Sequence, residues 1–308
     1  MKKKVLLIAL CIMFIMPSYS NADQSENDIP VIAILDGAFE TSLPIFKDRI
    51  LFEACVTEWA SCPNGLSEME GPGSSTIKQE WISKNNFGHG TQMASIAALE
   101  NPKVKFVLVR VISIDHNGSR LVSSESTVYN ALDWIIKNKD RFNIHSVSMS
   151  QGYRIPYSVK NYCPHTPMTE EKIKALIDAG IPVFFPSGNS GDLYKINWPA
   201  CISSSIAISA TAENSTIARY TDYDQYKTDF FAKGSSKAIN INNKTINAIG
   251  TSVATVIAAT QWATIKSVNK SLTYAQIYEM ISNTAKPVNN SKIIGGKLIN
   301  LKGALNGK

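Results

Sequence analysis

The stretch that decides the fold is VIAILDG, residues 31–37. Residues 31–35 form an unbroken apolar run rich in β-branched side chains, which is typical of a strand buried on both faces of a parallel sheet. Asp36 follows this run directly. Because the ligand crevice of an open parallel sheet lies beyond the carboxyl ends of its strands, we expect Asp36 at such a crevice. Taken alone, this aspartate would be a turn or capping residue.

Similar apolar runs and helical patterns alternate along the rest of the chain. The runs lie within residues 103–114, 144–149 and 181–185. The helical patterns cover residues 90–99, 126–138 and 169–179, the last with Thr169 as its predicted N-cap and Gly180 just past its end. Strands that alternate with helices predict an α/β fold, with a largely parallel central sheet and helices on both faces.

Two further segments carry reactive side chains, GHGT at residues 88–91 and GTSVA at residues 250–254. His89 stands at the expected start of one helix, and Ser252 stands at the start of another that is small and apolar over residues 253–263. Each residue alone would be a loop or capping residue. Together with Asp36 they supply a carboxylate, an imidazole and a hydroxyl. A serine nucleophile requires this set, because the hydroxyl needs a base and the base needs a carboxylate to hold its tautomer.

The chain order Asp, His, Ser is that of subtilisin, and the three segments resemble the signature motifs of the subtilisin-like serine proteases, the subtilases. PSGNSG at residues 186–191 resembles the oxyanion-hole loop of the family, and SMSQG at residues 148–152 resembles its substrate-pairing strand. The resemblance extends through most of the chain after residue 22. It implies the three-layer subtilisin-like α/β fold.

The resemblance also implies a serine endopeptidase that acts through an acyl-enzyme intermediate and acts on protein or peptide substrates. Asp36 would orient the imidazolium, His89 would be the general base and later the acid, and Ser252 would be the nucleophile. Asn189 would donate its side-chain amide to the developing oxyanion, together with the backbone N–H of Ser252. The residues expected to bind an extended substrate are Ser150, Gln151, Gly152, Ser187 and Gly188.

Some positions depart from the family pattern. Gly37 and Ala38 follow the aspartate where the family usually has Ser or Thr and then Gly, and Val256 replaces a proline four residues after the serine. Neither change removes a reacting atom. GTSVAT at residues 250–255 is similar to the serine motif in the catalytic subunit of subtilase cytotoxin, which enters host cells through a partner subunit. The alternatives are a host-directed toxin subunit with a delivery partner and a catalytically inactive subtilase-like binding module.

Residues 1–22 are predicted to be a cleaved secretory signal peptide. Three lysines at positions 2–4 precede an apolar run over residues 5–16, and small residues lead to a plausible cut after Ala22. The run is too short to span a bilayer comfortably, and Leu10 before Cys11 argues against a lipid anchor. We therefore expect a secreted or periplasmic bacterial protein without a stable membrane anchor, with residues 23–308 as one catalytic domain. With only residues 23–30 before the first strand we expect no propeptide domain, so the chain folds unaided or with a separate folding partner.

The cysteines fit export to an oxidising compartment. Four cysteines follow residue 22, an even number that predicts two disulfides. Three pairings are possible, and we favour Cys55 with Cys62, which lie in one polar loop, and Cys163 with Cys201. A zinc site is disfavoured because no Cys-x-x-Cys or histidine pair accompanies them.

Charge and spacing argue against several other partners. The formal charge is +6, and removing Lys2, Lys3 and Lys4 leaves +3 with no long basic run, so nucleic-acid binding gains no support. No cofactor is expected for the chemistry. Three aspartates could be considered as calcium ligands, namely Asp222, Asp224 and Asp229. Their spacing lacks the glycine-bearing loop of an EF-hand and predicts a solvated turn instead. A requirement for structural calcium is left open. The connection over residues 52–87 exceeds ordinary loop length and predicts a surface excursion near the site.

Overall fold

The computed structural model describes residues 29–82, 87–115, 117, 119, 124–156, 163–290 and 292–306. The predicted signal peptide lies outside the described residues. The strands in chain order are β1 (Val31–Asp36), β2 (Ile50–Val56), β3 (Glu68–Glu70), β4 (Lys105–Arg110), β5 (Ser146–Met149), β6 (Val183–Pro186), β7 (Ile206–Thr211), β8 (Thr228–Lys233), β9 (Ser235–Ile239), β10 (Thr245–Ile249), β11 (Lys286–Val288) and β12 (Gly296–Leu298). The helices are α1 (Gln79–Ile82), α2 (His89–Glu100), α3 (Glu125–Asn138), α4 (Pro167–Asp178), α5 (Thr251–Val268), α6 (Tyr274–Thr284) and α7 (Leu301–Asn306).

The central sheet has the strand order β11-β12-β8-β7-β6-β5-β1-β4-β2-β3, and β9 pairs with β10 in a separate hairpin. Its pairs are parallel except β2 with β3 and β11 with β12. β1 lies between β4 and β5, so the strand order changes direction there. Asp36, the last residue of β1, therefore lies at a topological switch point, where open sheets form their ligand crevice.

Helices cover both faces of this sheet, which confirms the predicted three-layer α/β fold. Ile32 and Ile34 of β1 pack into the core formed with α2 and α5. Val31, Ala33 and Leu35 alternate with them and pack into the other core, formed with α3 and α4. Both faces of β1 are thus buried, which explains why the run is apolar without interruption.

The prediction of Thr169 as the N-cap of α4 is wrong, because the helix begins about one turn earlier. The helix begins at Pro167, so Thr166 occupies the N-cap position and Thr169 is buried in the first turn. Proline at the first helical position costs no hydrogen bond, because that N–H has no partner inside a helix. Gly180 follows the helix with a φ of 80°, in agreement with the prediction of a glycine stop.

The segment over residues 52–87 is not a single surface excursion, and this prediction is wrong for its first residues. β2 pairs in parallel with β4 inside the central sheet, and its carboxyl half is buried. Glu53 interrupts the apolar pattern that would have indicated a strand. Its side chain is buried nevertheless, because its carboxylate accepts a hydrogen bond from Ser75 Oγ at 2.7 Å.

Both predicted disulfides are confirmed. Cys55 is bonded to Cys62 and Cys163 to Cys201, with Cα separations of 5.8 and 5.6 Å that lie in the usual range. The first bridge closes the loop that follows β2. The second ties the segment before α4 to the turn that follows β6.

Of the three aspartates after β7, Asp224 lies at the predicted turn, where its Oδ1 accepts hydrogen bonds from the backbone N–H groups of Tyr226 and Lys227, but the prediction is wrong for the other two. Asp222 is buried, and Asp229 accepts hydrogen bonds from Ala207 N–H, Lys227 Nζ and Tyr278 Oη. Within the described part of the chain, no group of three or more His, Cys, Asp or Glu side chains is arranged to hold a metal ion. The same residues contain no helix with the length and apolarity needed to cross a bilayer.

Stability is expected to fall as the pH drops from 7 to 5, because of His145. Its Nδ1 accepts a hydrogen bond from Val31 N–H at 3.0 Å, which requires an unprotonated Nδ1. Burial lowers the pKa of His145 from its ordinary 6.5 to about 4, and repulsion from Lys266 and Lys270 acts in the same direction. The unfolded chain therefore takes up the proton first, and the stability present above pH 6.5 is lost progressively toward pH 4.

This loss should amount to about 2 kcal/mol between pH 7 and pH 5. Urea unfolding at the two pH values measures it. A His145→Gln variant keeps an acceptor for the Val31 N–H without a titrating group, so its stability should change much less over this interval. Equal changes in the two proteins would contradict the assignment to His145.

Candidate active site

Asp36 and His89 form a hydrogen-bonded pair at the carboxyl edge of the sheet. His89 Nδ1 lies 2.9 Å from Asp36 Oδ1 and 3.0 Å from Oδ2. Asp36 is fully buried, whereas the His89 side chain keeps 15% of its surface exposed. A carboxylate only accepts hydrogen bonds, so the proton of this contact belongs to Nδ1, and in the neutral form of the imidazole Nε2 carries the lone pair. The pair thus presents a base toward the exposed side.

Gly37, the first departure from the family pattern, has a steric cause. A Cβ atom at this position would lie 2.8 Å from the carbonyl oxygen of Phe87, which is too close for any side chain. The neighbouring Ala38 N–H donates to the same oxygen at 2.8 Å. The segment after Asp36 is therefore held against the residues that lead into α2, and this contact brings His89 to Asp36.

Ser252 lies in the first turn of α5 and lines the same pocket as His89, an open cavity of about 450 Å³. Gly250, the N-cap residue of this helix, has a φ of 150°, a backbone conformation that residues with a side chain rarely adopt. Among the hydrogen bonds of the described residues, none joins the Ser252 hydroxyl to His89. The structure thus brings nucleophile and base to one pocket without the contact that proton transfer needs, and such contacts are often long in unliganded sites.

Asn189 lines this pocket and is held in one orientation by Thr251. Its Oδ1 accepts hydrogen bonds from the backbone N–H of Thr251 at 2.9 Å and from Thr251 Oγ1 at 3.0 Å. With Oδ1 engaged, the amide nitrogen is the group left for a ligand. This role of Thr251 is not predicted from the sequence, although its position directly before Ser252 places it next to the proposed nucleophile.

A buried carboxylate supports the loop that carries Asn189. Asp222 Oδ1 accepts hydrogen bonds from the backbone N–H groups of Ser190 and Asp192 at 2.9 and 2.8 Å. Burial raises the pKa of Asp222, and these two hydrogen bonds oppose that rise. No local sequence pattern indicates this role, because Asp222 lies 32 residues after Ser190.

The residues predicted to bind substrate are only partly brought together. The pocket lining includes Ser150, Gln151, Gly152 and Gly188. Ser187 does not line the pocket, because it is fully buried and its hydroxyl accepts a hydrogen bond from Ser209 Oγ at 3.1 Å. Ser150 Oγ donates to the carbonyl oxygen of Ser252 at 3.1 Å. The Gln151 side chain lies beside Asp36.

Comparison with known proteins agrees with this geometry. A sequence profile described as the Subtilase family, of peptidase class S8, matches residues 27–297. M-protease of Shouchella clausii (strain KSM-K16) is 28% identical over 242 residues, covering 75% of this chain and 58% of M-protease. Subtilisin BL of Lederbergia lenta is 27% identical over 242 residues, covering 75% of this chain and 82% of Subtilisin BL.

A solved structure, described as a cold adapted subtilisin-like serine proteinase, shares the fold. It is 20% identical with a TM-score of 0.65, and the match covers 90% of this chain and 91% of that chain. The chain spans little more than half of M-protease, but the family profile covers most of the chain itself. The match of profile, fold and relatives shows that this chain belongs to the subtilase family of subtilisin-like serine proteases.

Proposed function

We propose that this protein is a serine endopeptidase that hydrolyses peptide bonds through an acyl-enzyme intermediate on Ser252. The observation that carries the proposal is the hydrogen bond between His89 Nδ1 and the buried carboxylate of Asp36, in a pocket that Ser252 and Asn189 also line. This combination supplies the base, the nucleophile and an oxyanion donor that acyl transfer requires.

The proposed reaction uses each of these groups in turn. His89 Nε2 takes the proton of the Ser252 hydroxyl as Oγ attacks the carbonyl carbon of the scissile peptide bond. Asp36 stabilises the imidazolium that forms and keeps the proton on Nδ1. The negative charge on the carbonyl oxygen is met by the Asn189 amide nitrogen and the backbone N–H of Ser252. His89 then gives its proton to the nitrogen of the leaving amine as the C–N bond breaks, which leaves the acyl group on Ser252 Oγ. Water next gives a proton to His89 and attacks the acyl carbon, the bond from that carbon to Oγ breaks, and Oγ takes the proton back as the carboxylic acid is released.

We further propose that the protein is exported, with residues 1–22 as its signal peptide and residues 23–308 as a catalytic domain. The two disulfides support this, because such bonds persist mainly in oxidising compartments. The name of one relative, the Minor extracellular protease Epr of Bacillus subtilis (strain 168), describes that protein as extracellular. The alternative of a host-directed toxin subunit with a delivery partner rests on short sequence motifs, chiefly GTSVAT at residues 250–255.

Labelling with a fluorophosphonate tests the proposed enzyme against the alternative of an inactive binding module. This reagent reacts with an activated serine, so wild-type protein should be labelled once per chain and the Ser252→Ala variant should not be labelled. Ser267→Ala is a matched control in the same helix, because Ser267 Oγ donates to the Thr264 carbonyl away from the pocket. Folded wild-type protein that takes up no label at Ser252 would contradict the proposal.

A further inference from the structure

Gln151 contacts the buried carboxylate rather than only lining the pocket. Its side-chain nitrogen, Nε2, lies 2.7 Å from Asp36 Oδ1, and both side chains are buried. The backbone N–H of Gly37 reaches the same oxygen at 2.6 Å. Two neutral donors therefore hold Oδ1, while His89 Nδ1 is shared between Oδ1 and Oδ2. The contact with Gln151 joins residues that are 115 positions apart in the sequence.

The charge of Asp36 depends on these neutral donors. A buried carboxylate is costly unless hydrogen bonds or opposite charges compensate it. Among the described residues, no lysine or arginine forms an ion pair with Asp36. Arg110 is its neighbour across the sheet, but that guanidinium donates to Cys55 Sγ and to the Ser61 carbonyl instead. The Gln151 amide thus stabilises the charge of Asp36 in a way that a cation would in an ion pair.

Gln151 also restricts how His89 can be arranged. Gln151 Nε2 lies 3.5 Å from His89 Nδ1, and both nitrogens face Asp36 Oδ1. An amide nitrogen is a donor only, so Gln151 Nε2 cannot accept the proton on His89 Nδ1. Of these two neighbours, only Asp36 can accept that proton. Rotation of the carboxylate is opposed because Oδ1 is held on two further sides. The imidazole is therefore kept with Nε2 toward the pocket.

We infer that Gln151 is a positioning residue, which acts on the reaction through Asp36 by donating its amide to Oδ1; this inference rests on the proposed function. The adjacent Ser150 extends the arrangement, because its hydroxyl donates to the Ser252 carbonyl at 3.1 Å. Two successive residues of one segment thus contact the carboxylate and the residue that bears the nucleophile. The segment that the family resemblance implies to pair with substrate thus contacts both Asp36 and Ser252.

Two variants test the inference by kinetics. Gln151→Leu keeps the approximate shape and removes the donor, so kcat should fall about ten- to a hundredfold while KM changes little, since a hydrogen bond to a charged group is lost. With its charge less compensated, Asp36 should hold the imidazolium form more strongly. The acid limb of kcat/KM should then move to higher pH. A change in KM alone would overturn the inference and make Gln151 a substrate contact.

Gln151→Glu gives a signature that a merely structural role would not produce. At low pH a protonated glutamic acid can donate to Asp36 and replace the amide, whereas at high pH two carboxylates repel each other. The activity of this variant relative to wild type should therefore fall more than tenfold as the pH rises from 5 to 8. A ratio that stays constant with pH would overturn the inference, even if Gln151→Leu failed to fold.

Gln261→Leu is the matched control, because Gln261 Nε2 donates to Glu100 Oε1 at 2.6 Å and so loses the same kind of bond far from the pocket. This control should keep the wild-type acid limb of the pH profile of kcat/KM.

Proton NMR provides a readout independent of turnover. In the Ser252→Ala background, the downfield resonance of the His89 Nδ1 proton should shift when Gln151 is replaced by leucine, and an unchanged resonance would overturn the inference. Absence of Ser252 labelling in wild type would instead overturn the proposed function.

Discussion

Replacing His89 by alanine is expected to lower kcat by about a millionfold, a magnitude known from the histidine of subtilisin rather than derived from this structure. The physical reason lies in the pair with Asp36. Nδ1 is held by the carboxylate at 2.9 and 3.0 Å, so Nε2 is the basic atom, and the Ser252 hydroxyl has no other proposed base to accept its proton. A neutral hydroxyl is a poor nucleophile at neutral pH.

Hydrolysis of a chromogenic peptide measures this loss, and the rate of fluorophosphonate labelling should fall in parallel because it depends on the same proton transfer. His165→Ala is a suitable control, since His165 is exposed and lies outside the pocket. It should retain wild-type kcat. A His89→Ala protein that keeps its fold and more than about a thousandth of the wild-type kcat would show that another group serves as the base.

The features that local sequence predicts well are those whose cause is local. The unbroken apolar run of β1 follows from burial on both faces, and Asp36 comes at its end because the strand stops at the crevice. His89 and Ser252 each stand at the start of a helix in the predicted position. The disulfide between Cys55 and Cys62 could be favoured for the same reason, since its partners are only 7 residues apart.

Features that depend on distant partners could not be predicted in this way. Glu53 interrupts an apolar pattern, yet its side chain is buried within β2 because its carboxylate accepts a hydrogen bond from Ser75. Asp222 is predicted to be solvated, yet it is buried and the backbone N–H groups of Ser190 and Asp192 donate to its carboxylate. Periodicity reports which face of an element is apolar, but it does not report which polar groups will meet across the fold. The contact of Gln151 with Asp36 belongs to the same class.

Replacing Asn189 by leucine is expected to lower kcat about a hundred- to a thousandfold with little change in KM, a magnitude known from the corresponding donor in subtilisin. Here the structure supplies the reason for the orientation. Thr251 occupies Asn189 Oδ1 with two hydrogen bonds, so the amide nitrogen is available toward the pocket. The carbonyl oxygen of a substrate gains its negative charge only during reaction, and the loss should therefore appear in kcat rather than in KM.

Thr251→Val separates the orientation of Asn189 from its presence. This variant keeps the backbone N–H that donates to Asn189 Oδ1 but removes the hydroxyl donor, so the amide should be less firmly held and kcat should fall only a fewfold to about tenfold. In the double variant with Asn189→Leu, the Thr251→Val change should add almost nothing, because its effect passes through the missing amide. Additive losses in the double variant would mean that Thr251 does not act through the Asn189 amide. For Asn189→Leu alone, a rise in KM at unchanged kcat would mean that Asn189 binds the substrate in its ground state and does not stabilise the oxyanion.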